Sequence, residues 1–183
     1  MIITILDGSM QGSSGEMNAF VEKAEAQLQP KHTVRCFHLQ NLNIRHCNGC
    51  WDCWWKTPGL CAIKDDMESI YPVVMQSDLL VFASPLMAGF TSSLLKRASD
   101  RLIPLIHPYV ILNQGECHHK KRYDKYPDFA LILEREPDTD DEDIAIVKDI
   151  YRRFALNFHC SLKHTWLTHM HSPQDIAHDI HHF

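Results

Sequence analysis

The run Leu79-Leu80-Val81-Phe82-Ala83 constrains this chain more than any other stretch, because it is apolar at every position. A strand with one wet face alternates apolar and polar residues, whereas an unbroken apolar run belongs to a strand covered on both faces, as in a parallel sheet flanked by helices. Residues 2–6, 34–39, 129–133 and 162–167 are further strand candidates. Segments with helical spacing separate them. Residues 20–28 form one and end at Pro30; Met67, Ile70, Tyr71 and Val74 make a second apolar stripe. Leu94, Leu95, Ala98 and Leu102 make a third, and Ile144, Val147, Ile150, Tyr151 and Phe154 a fourth. Five strands alternating with helices predict an α/β fold with a parallel sheet, helices on both faces and right-handed crossovers. With 183 residues, of which 45% are hydrophobic, a single domain spanning 1–183 is expected.

The most unusual local pattern is CNGCWDCWWKTPGLC, which sets Cys47, Cys50, Cys53 and Cys61 in the order C-x2-C-x2-C-x7-C within a loop covering residues 45–64. Thiolates at intervals of three can converge on one centre, and Pro58-Gly59 supplies a turn that returns Cys61 as a fourth ligand. A soft metal or an iron-sulfur cluster suits this spacing. Structural zinc more often uses separated C-x2-C pairs, and a redox-active thiol pair such as Cys50 and Cys53 is the other alternative. Trp51, Trp54 and Trp55 would form an apolar collar or pack against another subunit.

Seven cysteines cannot all pair as disulfides, and the start MIITILDGS shows neither a basic leader nor a long apolar run. The expectation is therefore a cytoplasmic protein with no membrane partner. A net charge of -5, with only residues 120–122 forming a basic patch, argues against a nucleic-acid partner.

Three loops carry possible binding chemistry. After the first strand, DGSMQGSSGEMN offers Gly8, Gly12 and Gly15 with Ser9, Ser13 and Ser14 at a helix start. This suits a phosphate, and equally an ordinary serine-capped loop. It lacks both the P-loop ending and the G-x-G-x-x-G pattern. Residues 84–89 follow the central strand, where open α/β sheets bind ligands, and Met87 and Phe90 could line a flat cofactor there. In the next helix, capped by Thr91 or Ser92, Lys96, Arg97 and Arg101 are expected to face outward. Asp65 and Asp66 read as a helix start, and the acidic stretch 134–143 offers Asp138, Asp140 or Asp141 as a cap. The excursion 104–127 reads as a lid, a dimer arm or part of a substrate mouth. Its Cys117, His118 and His119 lack a complete ligand set, and the histidines after residue 168 suggest only adventitious metal binding.

The small-residue loop, the cysteine run, Asp65-Asp66-Met67 and the pattern SP...G..SS.LK...DR occur in that order. In this combination the chain resembles the flavodoxin-like NAD(P)H-dependent FMN reductases, nearest their iron-sulfur flavoprotein branch, over residues 1 to about 167. The resemblance implies a flavodoxin-like three-layer sandwich with a five-stranded parallel sheet in the order 2-1-3-4-5, and FMN bound beyond the strand ends. It implies a phosphate loop of Ser9, Gln11, Ser13, Ser14, Glu16, Met17 and Asn18. It implies a second flavin loop of Ser84, Pro85, Leu86, Met87, Ala88 and Gly89, with Ser92, Lys96, Asp100 and Arg101 matching the helix that follows. By the same likeness, Cys47, Cys50, Cys53 and Cys61 hold a 4Fe-4S cluster. The implied activity is oxidoreduction through FMN, with NAD(P)H or a redox protein as donor, in a homodimer or tetramer.

No acid-base catalytic residue is expected, because the flavin carries the chemistry. This chain has GSMQ where the family has a basic residue, Met87 in place of an aromatic, and an acidic rather than glycine-rich third loop after Leu133. The alternatives are a non-enzymatic electron carrier, or a structural or regulatory flavodoxin-like protein with a four-cysteine zinc site or free thiols.

Overall fold

The computed structural model describes residues 1–10 and 16–182. Strand β1 (Ile2–Asp7) leads to helix α1 (Glu16–Leu28) and strand β2 (Thr33–His38). The chain then makes the short helix α2 (Asp52–Trp55) and α3 (Met67–Gln76) before the central strand β3 (Leu79–Met87). A two-residue strand β4 (Phe90–Thr91) precedes α4 (Ser93–Asp100), and β5 (Ile106–Asn113) and β6 (Glu116–Lys121) form a hairpin. Strand β7 (Asp128–Arg135), α5 (Asp141–Asn157), β8 (Leu162–Leu167) and α6 (Pro173–His181) complete the chain.

The main sheet runs β2-β1-β3-β7-β8, and these five strands are parallel. This is the expected 2-1-3-4-5 order. Register sets Ile5 beside Cys36 and Val81, and Val81 beside Ala130. Successive residues of each strand therefore serve different cores, as the period-two geometry of a strand requires. Ile3, Ile5, Val81, Ala130 and Ile132 pack with α1 and α6 on one face. Leu6, Leu80, Phe82, Leu131 and Leu133 pack with α3, α4 and α5 on the other. Phe82 is the aromatic hub of that second core, its ring 5.0 Å from both Phe129 and Tyr151. No helix among the described residues is long and apolar enough to cross a membrane.

Three features depart from the sequence reading. The excursion 104–127 contains a regular antiparallel hairpin, turned at Gln114 (φ 52°) and Gly115 (φ 84°). Two consecutive positive φ values are what a two-residue hairpin turn needs. The histidine-rich end is helix α6, started by Ser172, whose hydroxyl accepts from Asp175 N while the Asp175 carboxylate accepts from Ser172 N. A reciprocal box of this kind satisfies two otherwise free amides. Finally, Arg97 and Arg101 do not face outward as expected. Arg97 Nη1 donates to Ile44 O at 2.9 Å, and Arg101 is buried.

Candidate cofactor sites at the two ends of one helix

Strands β1, β3 and β7 are parallel, so Asp7, Met87 and Arg135 finish at the same edge of the sheet. Here β3 reverses into β4 through Ala88 (φ 49°) and Gly89 (φ 72°). A side chain at Gly89 would be strained by its φ of 72° and would displace the Asp143 carboxylate, since its Cβ would lie 2.5 Å from Asp143 Oδ1. Ser84, Pro85 and Leu86 lie inside β3, buried and paired with β7. Ser84 Oγ accepts from Ser92 N at 2.8 Å and donates to Pro85 O at 2.8 Å. These three residues support the turn from behind. Met87 and Ala88 are exposed and Gly89 is half-buried, so the open part of the second loop is its tip.

On the β1 side, Ser9 is buried, and its amide donates to Asp7 Oδ1 at 2.9 Å. Met17 is buried in the core, and Asn18 Nδ2 donates to Glu22 Oε1 at 2.7 Å. Gln11, Ser13 and Ser14 lie outside the described residues. Glu16 lines a cavity of about 370 Å³ with Phe20, residues 134–137, Thr168 and His169. The first turn of α1 has amides with no partner inside the helix, which is the arrangement that receives an anion. A helix N-terminus and an open turn at one sheet edge fit the two ends of a mononucleotide flavin.

The cysteines meet elsewhere. Cys47, Cys50, Cys53 and Cys61 all line a cavity of about 450 Å³ with Trp51, Trp54, Arg101, Ile103, Pro104, Pro108, Val110 and His119. Gly49 and Trp51 both have φ of 65°, so the chain coils locally and runs helical only from Asp52. Trp54 Nε1 donates to Ile106 O at 3.1 Å, and its ring lies 5.1 Å from His119. Of the expected collar, Trp51 and Trp54 line the cavity, whereas Trp55 is 60% exposed and does not.

Cys53 is buried, and that burial together with the nearby Cys61, Cys47 and Cys50 pushes its thiol up to about 11. Mutual discouragement of negative charge is what a bound cation reverses. Among the described residues, no three of these sulfurs lie within 4.8 Å of one another. Four thiolates on one zinc ion, each at about 2.3 Å, would sit roughly 3.8 Å apart. Thiolates bound to separate irons of a cluster are spaced more widely. Four thiolate donors around one cavity suit a soft metal ion or an iron-sulfur cluster.

Beneath this cavity, Arg101 Nη1 donates to Asp65 Oδ2 at 2.7 Å and Nη2 to Oδ1 at 3.0 Å, with side-chain exposures of 1% and 0%. Asp65 also accepts from the amides of Arg45 at 2.9 Å and Met67 at 3.2 Å. Burial alone would raise the Asp65 carboxyl, but the Arg101 and backbone hydrogen bonds outweigh it and hold the group below its ordinary value. Asp65 thus belongs to the start of α3, as expected, and also ties the cysteine loop to α4. Arg101 Nη1 extends that tie to Arg45 O at 2.8 Å. The sequence did carry a signal for Arg101: it falls three residues after the buried Ala98, at the C-cap of α4.

The two candidate sites occupy opposite ends of α4. Ser92 caps the end near the second loop, while Arg101 follows the other, and the eight intervening residues span about 12 Å. The cysteine cavity and the tip of the second loop therefore lie toward opposite ends of α4.

An open parallel sheet with binding loops at its strand ends defines a flavodoxin-like α/β protein. Residues 1–121 match the NADPH-dependent FMN reductases, and the chain belongs to that family. It is 30% identical over 104 residues to an iron-sulfur flavoprotein of Clostridioides difficile, covering 55% of this chain and 45% of that protein. An iron-sulfur flavoprotein of Archaeoglobus fulgidus is 33% identical over 74 residues, covering 40% of this chain and 33% of that protein. The matched regions thus span less than half the length of these relatives. An azoreductase from Bacillus anthracis shares the fold with a TM-score of 0.65 at 12% identity, covering 100% of this chain and 99% of its own.

Proposed function

We propose that the chain is an FMN-dependent NAD(P)H oxidoreductase whose Cys47, Cys50, Cys53 and Cys61 hold a 4Fe-4S cluster. The observation that carries this reading is the convergence of four thiols on one cavity in a member of the FMN reductase family. The naming of the two relatives as iron-sulfur flavoproteins supports the cluster.

The loop of Ser9, Gln11, Ser13, Ser14, Glu16, Met17 and Asn18 would receive the FMN phosphate at the start of α1. Within it, buried Met17 contributes backbone only. Met87, Ala88 and Gly89 would bear on the flavin ring, with Ser84, Pro85 and Leu86 fixing their turn. Bound FMN supplies hydride acceptance and single-electron release. Trp51 and Trp54 limit water at the cysteines, and the Asp65–Arg101 pair sets the position of their loop. The exposed Tyr109, Val110 and Leu112 of the hairpin support self-association as a homodimer or tetramer. A cytoplasmic location is part of the same proposal.

The test is an anaerobic absorption spectrum of the protein supplied with FMN, before and after NADPH. A flavin band that bleaches on addition supports the reading. Failure to retain FMN, or a bound flavin that NADPH does not reduce, would favour the structural or protein-fed carrier alternatives.

A further inference from the structure

A second group of metal-type donors lies away from the four-cysteine cavity. Cys36 and His38 stand two residues apart on β2, the edge strand of the sheet, and so project to one face. Helix α1 covers that face and contributes Glu25. One donor atom each from Glu25, Cys36 and His38 lie within 4.8 Å of one another, and all three residues are half-buried. His38 Nδ1 is 2.8 Å from Asp7 Oδ2, and Asp7 is 1% exposed. Asp7 is itself held by the Ser9 amide at 2.9 Å and by the Ser9 hydroxyl. Glu25 Oε1 accepts from Gln29 Nε2 at 3.1 Å, which leaves Oε2 available.

We propose that Glu25, Cys36 and His38 form a three-ligand site for a divalent cation of the zinc class, with Asp7 orienting the histidine from behind. A thiolate, an imidazole and a carboxylate are the ligand types zinc and cobalt accept, and three protein ligands leave a fourth position for water. With Nδ1–H donated to Asp7, the lone pair of neutral His38 is on Nε2. This carboxylate–histidine arrangement fixes the tautomer and ring plane of metal-bound histidines. Burial, and then Glu25, Asp7 and Glu22, push the Cys36 thiol up. The competing account makes Cys36 a small apolar residue at the rim of the α1 core, with Glu25 beside it by chance. Bound there, a cation would clip α1 to the edge strand and, through Asp7 and Ser9, to the start of the phosphate loop. The inference does not depend on the four-cysteine cluster.

Cobalt(II) is the probe, added anaerobically to the untagged full chain with its native cofactors, and cobalt content is measured after gel filtration. Wild type should retain one more cobalt per chain than Cys36→Ser or His38→Ala. The sulfur-to-cobalt charge-transfer band, read against the cobalt-free protein, should be weaker in Cys36→Ser than in wild type. Asp7→Asn should weaken binding about 10–100-fold. Glu25→Gln, a half-exposed helical position, keeps the test valid if a strand variant misfolds, and it too should lose the extra cobalt. Equal cobalt retention and equal charge transfer in wild type and folded variants would overturn the proposal. Iron, sulfide and flavin contents measured on the same samples separate this outcome from loss of the other cofactors.

Discussion

The two ends of α4 are fixed by opposite means. At its start, Ser92 Oγ donates to Gly8 O at 2.7 Å and accepts from Leu95 N at 3.3 Å, while Ser92 N donates to Ser84 Oγ at 2.8 Å. Every group in that set is neutral. Beyond its end, a buried guanidinium grips a buried carboxylate and the carbonyl of Arg45. The neutral end joins β1, β3 and α4 where the strands already bring the chain together, so short hydrogen bonds between small groups suffice. The charged end holds a loop whose only helix before α3 is the four-residue α2, and that loop needs a strong directional anchor.

The sharpest break of this contrast is Arg101→Met. It leaves the Asp65 carboxylate buried without its partner and should cost about 3–5 kcal/mol, read by urea unfolding. Iron content should fall with it, while FMN retention by the molecules that remain folded should not. The double change Asp65→Asn with Arg101→Met should recover part of the loss, because no unpaired charge remains.

Gly8→Ala tests the neutral end. Its Cβ would lie 2.7 Å from Ser92 Oγ and 2.8 Å from Leu95 Cβ, so about 1–3 kcal/mol of overpacking is expected. FMN retention should drop while iron stays. Ser92→Ala removes a helix cap and should cost about 1 kcal/mol in the same unfolding assay.

Acid separates the ends by charge alone. Because the folded-state carboxyl of Asp65 is held below its ordinary 3.8, its stabilisation is complete above that value and is lost as the pH falls through the lowered folded-state value. Unfolding free energy followed through this acid range should therefore fall more steeply in wild type than in Asp65→Asn. The smallest effect is expected from Leu112→Lys on the hairpin, which is 74% exposed. Stability should change by less than about 0.5 kcal/mol, whereas light scattering should show a smaller assembly if the hairpin is an interface.

The same contrast explains what could be read from the sequence. Residues 79–83 are apolar throughout because both faces are covered, and that local fact led directly to the parallel sheet, whereas the strand order came only from the family resemblance. The Ser92 cap was legible because capping acts within one turn of helix. Arg101 was not, because its charge outweighed its place three residues after Ala98, and its partner Asp65 is 36 residues away. The hairpin was missed because CHHKK in β6 has few apolar residues to show a strand period. The distance between the cysteine cavity and the flavin turn depends on how the chain after β2 lies along α4. The motifs themselves hold no record of that path.

The measurement that bears most directly on the account is iron and acid-labile sulfide in freshly isolated, anaerobically handled protein, alongside Cys53→Ser. The account predicts about four iron and four sulfide per chain in wild type, with both falling sharply in the variant. Zinc without sulfide, or neither metal nor sulfide, would contradict it.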